Sequence, residues 1–411
     1  MRTATLARRV RLGTLVALLA SAWTVVSAAR SPLQIASPPS SITVERAMAA
    51  IEAAQQPNRQ GWDPFTLAEM MDRLHVPGLG IAVIWNGQVH WARGYGVADV
   101  TTGAPVTPTT LFQAASISKP VAAMATMRAV QSGALTLDTD INDLLTTWRL
   151  PSGPFTADRP VTPRALLSHT SGLGDGFGFP GYSPTEERPS VLQILEGRPP
   201  SNVGRLFMER PPMTAFKYSG GGTLVMQQAL SDRLHRPFLE IVRDAVLTPI
   251  GMHDSDYDQP PTGERAARTA RAHDGRGQPM GDRWHVYPEL AAAGLWTTPG
   301  DLARFAIDVQ RAVAGDAGRA ISPALAREMV SPVGVGDYGV GFELSHRGEG
   351  WYFGHGGSNW GFRAQVLAHR VKGYGIAVMT NGDNGSRLID EVIARVAHTY
   401  GWDSLDKSVP R

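Results

Sequence analysis

The sequence predicts an α+β fold: an antiparallel sheet flanked by helices from both ends of the chain, with a mostly helical lobe inserted. Three observations lead there. Two β-rich runs, 76–85 and 88–92, flank Asn86-Gly87, a strong hairpin signal. β signals then return only late, in runs 338–344, 350–355, 362–369 and 375–380. Between about 120 and 285 the chain reads as helix and loop.

The elements follow in order. Arg2, Arg8, Arg9 and Arg11 precede an apolar run, 12–26, and Val26-Ser27-Ala28 offers small residues for cleavage. Residues 1–28 therefore read as a secretory signal peptide; a retained anchor is the alternative, and the apolar run is short for a span. The expected address is periplasmic or secreted. Residues 29–41, rich in Ser and Pro, read as a disordered lead. Helices are expected over 42–54 and 64–74, before the hairpin. The Ala- and Met-rich run 121–130 predicts a helix with Pro120 in its first turn, where a missing N–H costs little. Thr162 and Pro163 fit the N-cap and first position of another helix. Residues 174–190 read as an irregular surface loop, 223–234 and 237–247 as helices, and 255–288 resists assignment. A helix over 302–313, capped by Asp301, and a last one over 387–400 complete the chain. The sheet lobe is expected at about 42–105 and 290–405, and the helical lobe at about 106–289.

Composition narrows the chemistry. The absence of cysteine excludes disulfides, thiolate nucleophiles and Cys-based zinc sites. A net charge of +2 with no basic cluster past the signal gives no indication of nucleic acid. Eleven histidines lack metal-binding spacing, so neither a metal nor a cofactor is implied.

Three stretches carry candidate chemistry. Ser116-Ile117-Ser118-Lys119 puts Ser116 at a helix start and Lys119 one turn on, on the same face. A serine is a poor nucleophile until a base takes its proton, and a lysine can do so once burial and neighbouring charge lower its pKa. The plain alternative is an N-cap serine with a solvated lysine. Tyr218-Ser219-Gly220 opens a glycine-rich helix start; the tyrosine could be a second base or acid if an ammonium depresses its phenol, or a merely packed ring. His355-Gly356-Gly357-Ser358 lies beside a β run, where glycines let a substrate backbone approach and an N–H face an oxyanion, or simply form a turn.

Taken together, in this order, these stretches resemble the penicillin-recognising serine hydrolase family of class C β-lactamases, D-alanyl-D-alanine carboxypeptidases, D-aminopeptidases and family VIII esterases. Two further strings strengthen the likeness: Leu-Leu-Ser-His-Thr-Ser-Gly-Leu at 166–173 and Ala-Ala-Gly-Leu-Trp-Thr-Thr-Pro-Gly-Asp-Leu-Ala-Arg-Phe at 292–305. The resemblance spans about residues 42–397. It implies a β-lactamase/transpeptidase-like fold with Ser116 as acyl-accepting nucleophile and Lys119 as its base or the group that tunes the base. Tyr218 would relay a proton to the leaving group. The backbone N–H groups of Ser116 and Ser358 would hold the oxyanion. The substrate would be a small ester, amide or D-amino-acid peptide, with peptidoglycan as a further partner. Two positions depart from the family pattern. Gly220 stands where the asparagine of Y-x-N would hold an acylamide, and His355 replaces the lysine of K-T-G. Both weaken the case for an efficient β-lactamase. An α/β-hydrolase would need G-x-S-x-G, which does not occur, and a triad using Asp301 or Asp175 has no local motif. A non-catalytic binding relative would be marked by loss of Ser116, Lys119 or Tyr218, and all three are present.

Overall fold

The structure, a computed structural model, describes residues 42–55, 61–174, 178–316, 318–347 and 350–403. The expected signal peptide, the lead and Asp175 lie outside these. Among the described residues the main sheet has seven strands in the order β3-β2-β1-β9-β8-β7-β6, every neighbouring pair antiparallel. They are β1 (Gly78–Trp85), β2 (Gln88–Asp99), β3 (Ala104–Pro105), β6 (Glu343–Arg347), β7 (Gly350–Asn359), β8 (Phe362–His369) and β9 (Gly375–Thr380). A small pair, β4 (Phe112–Gln113) and β5 (Trp296–Thr297), stands apart.

The β1–β2 hairpin forms as the sequence predicts. Asn86 and Gly87 have φ of 53° and 69°, and a two-residue turn of that hand matches the strand twist. Alternation then sorts the side chains into two layers. Leu79, Ile81, Val83, Ile376, Val378 and Tyr352 join one core with Ile51, Leu388 and Val392. Ala82, Ile84, Ala377, Met379, Val366 and Phe353 join the other with Leu302, Phe305 and Val309. The first face is covered by helix α1 (Val44–Glu52) and the Gly385–Thr399 helix, the second by the Pro299–Ala314 helix. Buried Arg395 ties the two ends of the chain together: its guanidinium donates to Ile51 O at 3.1 Å, Ala53 O at 2.8 Å and Phe65 O at 2.7 Å.

Four local expectations are corrected. α1 is shorter than 42–54, because Thr43 is its N-cap and Ala53 is already extended. Helix α2 starts at Leu67 and not at 64, since Thr66 and Glu69 close a capping box. Residues 338–342 are not strand. The chain turns there, Gly341 taking φ 93° and donating its N–H to Leu167 O at 2.9 Å, and pairing starts only at Glu343. Thr298, not Asp301, caps the Pro299–Ala314 helix; Thr298 Oγ1 accepts the Asp301 N–H at 3.2 Å.

Helix α3 (Ser118–Gln131) runs through the second core and is buried from Ser118 to Met127. Its alanines let neighbouring helices approach closely, and Met124 and Met127 fill the gaps. Truncating either methionine to alanine would cost roughly 2–5 kcal/mol. Ser116 precedes α3 in a tight turn, Ala115–Ile117, that follows the β4 strand.

Candidate active site

Ala115, immediately before Ser116, has φ 51°, a left-handed conformation that few alanines adopt. The turn is held open by three bonds. Ser118 Oγ donates to Ala115 O at 2.6 Å and accepts the Leu295 N–H at 3.0 Å, and Tyr257 Oη donates to Ser118 O at 2.9 Å. Ser116 itself stays half-buried while its neighbours are buried.

Lys119 is 4% exposed, and its Nζ lies 3.0 Å from Ser116 Oγ and 2.9 Å from Ala292 O. The one-turn spacing read from the sequence therefore brings amine and hydroxyl into hydrogen-bond contact. Ala292 lies in one of the two longer strings.

Tyr218 precedes Ser219, whose Oγ accepts the Gly222 N–H at 2.8 Å and caps the Gly220–Leu234 helix. The Tyr218 hydroxyl hydrogen-bonds Ser116, and Lys119 Nζ stands 4.9 Å from the centre of its ring. Burial pushes the phenol above its ordinary value, against the opposing hydrogen bond with Ser116. The depressed phenol considered from sequence is thus corrected: Tyr218 holds its proton and suits the role of acid better than that of base. Gly220 is buried at the first position of the helix.

His169 sits behind Tyr218 in a left-handed turn, φ 57°. The rings lie 4.3 Å apart. Its Nδ1 accepts the Ser219 N–H at 3.1 Å, which leaves the ring proton on Nε2, 3.2 Å from Tyr338 Oη. His169 is thus bonded to backbone, and it also braces two tyrosines.

His355 lies on β7, 1% exposed, its ring 6.1 Å from Tyr218 and 6.2 Å from Tyr338. Its Nδ1 is 2.6 Å from Gly356 O. A carbonyl only accepts, so Nδ1 carries the proton and Nε2 is a bare acceptor, buried and without a hydrogen-bond partner among the described residues. Burial, reinforced by Lys119, lowers the imidazole pKa to about 3, so it is neutral at pH 7.

β6 pairs with β7 only as far as Gly354, so residues 355–358 present an open strand edge on that side. A Cβ on Gly357 would lie 2.2 Å from Ala114 O, which shows how closely this edge meets the Ser116 turn. Gly356 is half-buried and Ser358 exposed. Asn359 Nδ2 fixes the strand end by donating to Gln113 Oε1 at 2.8 Å and Ala293 O at 3.1 Å.

Asp301 Oδ2 accepts from Asp254 N at 2.9 Å and Ser255 Oγ at 2.8 Å, and Oδ1 pairs with Arg304 at 2.6 Å, so its carboxylate is committed away from Ser116. Phe362 is a core residue, edge-on to Trp296 at 5.8 Å. Trp360 is half-buried and stacks on His285 at 4.0 Å. Sequence reasoning missed Tyr338, taken for a strand residue, and Glu343, whose charge acts on Lys119, Tyr218 and Tyr338. Neither carries a local motif. Among the described residues no helix is long and apolar enough to cross a membrane.

The chain matches the Beta-lactamase family model over residues 66–399. It belongs to that family. Among its relatives are "Penicillin-binding protein 4" of Amycolatopsis lactamdurans, 26% identical over 78% of this chain and 86% of that one, and "Esterase EstB" of Burkholderia gladioli, 26% identical over 74% and 82%. The fold of this β-lactamase-family chain is likewise that of the D-amino acid amidase from Ochrobactrum anthropi SV3: TM-score 0.67, 20% identity, 86% of this chain and 99% of that one covered.

Proposed function

We propose that this β-lactamase-family protein is an exported serine hydrolase that cleaves a small ester, amide or D-amino-acid peptide through an acyl-enzyme on Ser116. The observation that carries the reading is the 3.0 Å contact between Lys119 Nζ and Ser116 Oγ. Lys119, as the neutral amine, takes the Ser116 proton as Oγ attacks the carbonyl. The backbone N–H groups of Ser116 and Ser358 hold the oxyanion, the latter on the open edge of β7. Tyr218, which keeps its proton, passes it to the leaving group and is re-supplied by the Lys119 ammonium, which holds the proton taken from Ser116. Water then attacks the acyl-enzyme by the same route in reverse. Ester or simple amide hydrolysis is favoured over β-lactamase action because Gly220 offers no side-chain amide and His355 no cation. Export rests on the N-terminal sequence pattern, and peptidoglycan is a substrate source compatible with that address. The relatives' names, an esterase and a penicillin-binding protein, point to the same chemistry.

The test is intact mass and turnover with a short p-nitrophenyl ester and, separately, a fluorescent penicillin, on wild type and Ser116→Ala. Ester turnover without a lasting penicillin adduct supports the esterase reading. A stable adduct on Ser116 would instead make it a penicillin-binding carboxypeptidase. Neither event with either reagent would favour a non-catalytic binding protein.

A further inference from the structure

The Lys119 amine owes its aim to a carbonyl. Nζ lies 2.9 Å from Ala292 O and 3.0 Å from Ser116 Oγ. A carbonyl only accepts, so it takes a hydrogen of Nζ and restrains the rotation of the amine about its last bond. The lone pair of the neutral amine can then face the Ser116 hydroxyl. Where the Ala292 carbonyl stands therefore decides where the proton acceptor points.

Ala292 sits in the Leu290–Ala293 helix, a single turn. A turn this short does not hold itself. It has no side-chain cap of its own either: Glu289 stands at the N-cap and makes no such bond. The cap comes from another helix. Gln227, two turns into the Gly220–Leu234 helix and buried, accepts the Ala291 N–H on Oε1 at 2.8 Å and donates from Nε2 to Pro288 O at 3.3 Å. The amide fits only this way round, because the flipped form would set donor against donor and acceptor against acceptor. The far end of the segment is held by Asn359 of β7, which donates to Ala293 O, and by Ser118 of α3, which accepts the Leu295 N–H. One buried amide thus ties the helix that follows Tyr218 to the carbonyl that aims Lys119.

We propose that Gln227 is a positioning residue for Lys119: it sets the Ala292 carbonyl and so keeps the proton-accepting amine in register with the Tyr218 phenol at the head of its own helix. The inference deepens the hydrolase reading and rests on it, because the aim of the amine matters only if Lys119 takes the Ser116 proton. Removing the amide leaves the Ala291 N–H and Pro288 O buried without these partners, and the turn that carries Ala292 shifts to satisfy them. A displacement of about 1 Å at a reacting group can cost about 10²-fold in rate. The effect of Gln227 should therefore vanish once Lys119 no longer accepts the proton.

A double-mutant cycle tests it, on wild type, Gln227→Met, Lys119→Met and the double variant. Gln227→Met keeps the length of the side chain and removes both polar atoms. The readouts are the rate constant for fluorophosphonate labelling of Ser116, followed to completion at high reagent concentration, and kcat/KM for p-nitrophenyl acetate per labelled site. Counting labelled sites cancels the fraction of folded enzyme. The expected result is a loss of about tenfold or more from Gln227→Met beside the native Lys119, and of less than about twofold in the Lys119→Met background. A glutamine that only stabilises the fold would cost the same factor in both backgrounds. That outcome, or no loss from Gln227→Met, overturns the positioning and leaves the hydrolase reading standing. Should Gln227→Met fail to fold, Gln227→Asn, polar but too short to span both partners, carries the same cycle and the same two patterns decide. If wild type neither hydrolyses the ester nor is labelled at Ser116, the hydrolase reading falls and the positioning falls with it.

Discussion

The imidazole of His169 packs 4.3 Å from the ring of Tyr218, tilted by 35°, and takes the next residue's backbone N–H, Ser219, at 3.1 Å. One buried side chain thus fixes both the ring and the peptide that present Tyr218 to Ser116. Replacing His169 with alanine removes the side-chain acceptor of the Ser219 N–H and one of the two partners of the Tyr338 hydroxyl, while the left-handed φ of 57° remains to be held. We expect a loss of roughly 1–3 kcal/mol in urea unfolding. A fall in kcat of about tenfold or more should accompany it, with little change in KM. An undiminished kcat would show that Tyr218 needs no brace.

Lys119→Arg and Lys119→Met should be equally poor. Arginine keeps charge and length but does not give up its proton, so it cannot serve as a base. Both should lose about 10²–10⁴-fold in kcat/KM for a p-nitrophenyl ester while unfolding cooperatively. Substantial activity in Lys119→Arg would mean that only the charge at this position matters.

Gly356 and Gly357 are adjacent but not equivalent. A Cβ on Gly357 meets the Ala114 carbonyl oxygen at 2.2 Å, a backbone atom that cannot yield without moving the Ser116 turn. A Cβ on Gly356 meets only Gln365 Oε1, at 3.1 Å, the far end of a flexible side chain. Gly357→Ala should therefore abolish most ester turnover, and Gly356→Ala should lose less than about threefold. Steady-state kinetics on the pair decides it, and equal losses would contradict the close approach of β7 to the nucleophile turn.

Much of this was legible in the sequence, for reasons that differ by element. β8 and β9 run from Phe362 to His369 and from Gly375 to Thr380, the ranges read from β-rich runs, because their turns leave the strands regular. The Asn86-Gly87 hairpin is a local code. The Ser116–Lys119 contact follows from the three-residue spacing, carried here by the tight turn that leads into α3. What could not be read depends on distant partners. Residues 338–342 look like a strand by composition, yet Gly341 must turn there, with no room for a Cβ beside Ala123. The pairing of Lys119 with Ala292 O, and of His169 with Tyr338, joins segments more than 160 residues apart. A depressed Tyr218 phenol was one reading open from the sequence, but desolvation raises it against the opposing hydrogen bond with Ser116. Asp301 resembled a cap, but Thr298 stands at the cap position and Asp301 serves the Asp254–Ser255 turn instead.

Glu289 gives the stability a pH signature. Both its carboxyl oxygens are buried and lack hydrogen-bond partners among the described residues, and desolvation raises its pKa to about 8. Between the ordinary value of 4.5 and about 8 the folded state holds a proton that the unfolded state releases. Its contribution is therefore fully present below 4.5 and is lost as pH rises through 8, by at most about 1.4 kcal/mol per pH unit. Urea unfolding of wild type and Glu289→Gln at pH 5 and pH 9 should show the stability difference moving in the variant's favour at pH 9. A difference independent of pH would mean that water or a rearranged partner solvates the carboxylate.

The central claim is that Ser116 is the nucleophile. The most direct measurement is peptide mapping after labelling with a fluorophosphonate, run alongside p-nitrophenyl ester turnover, on wild type and Ser116→Ala. The account predicts a single modified peptide bearing Ser116, loss of turnover in step with labelling, and neither labelling nor turnover in Ser116→Ala. Labelling at another serine, or undiminished turnover by Ser116→Ala, would contradict it.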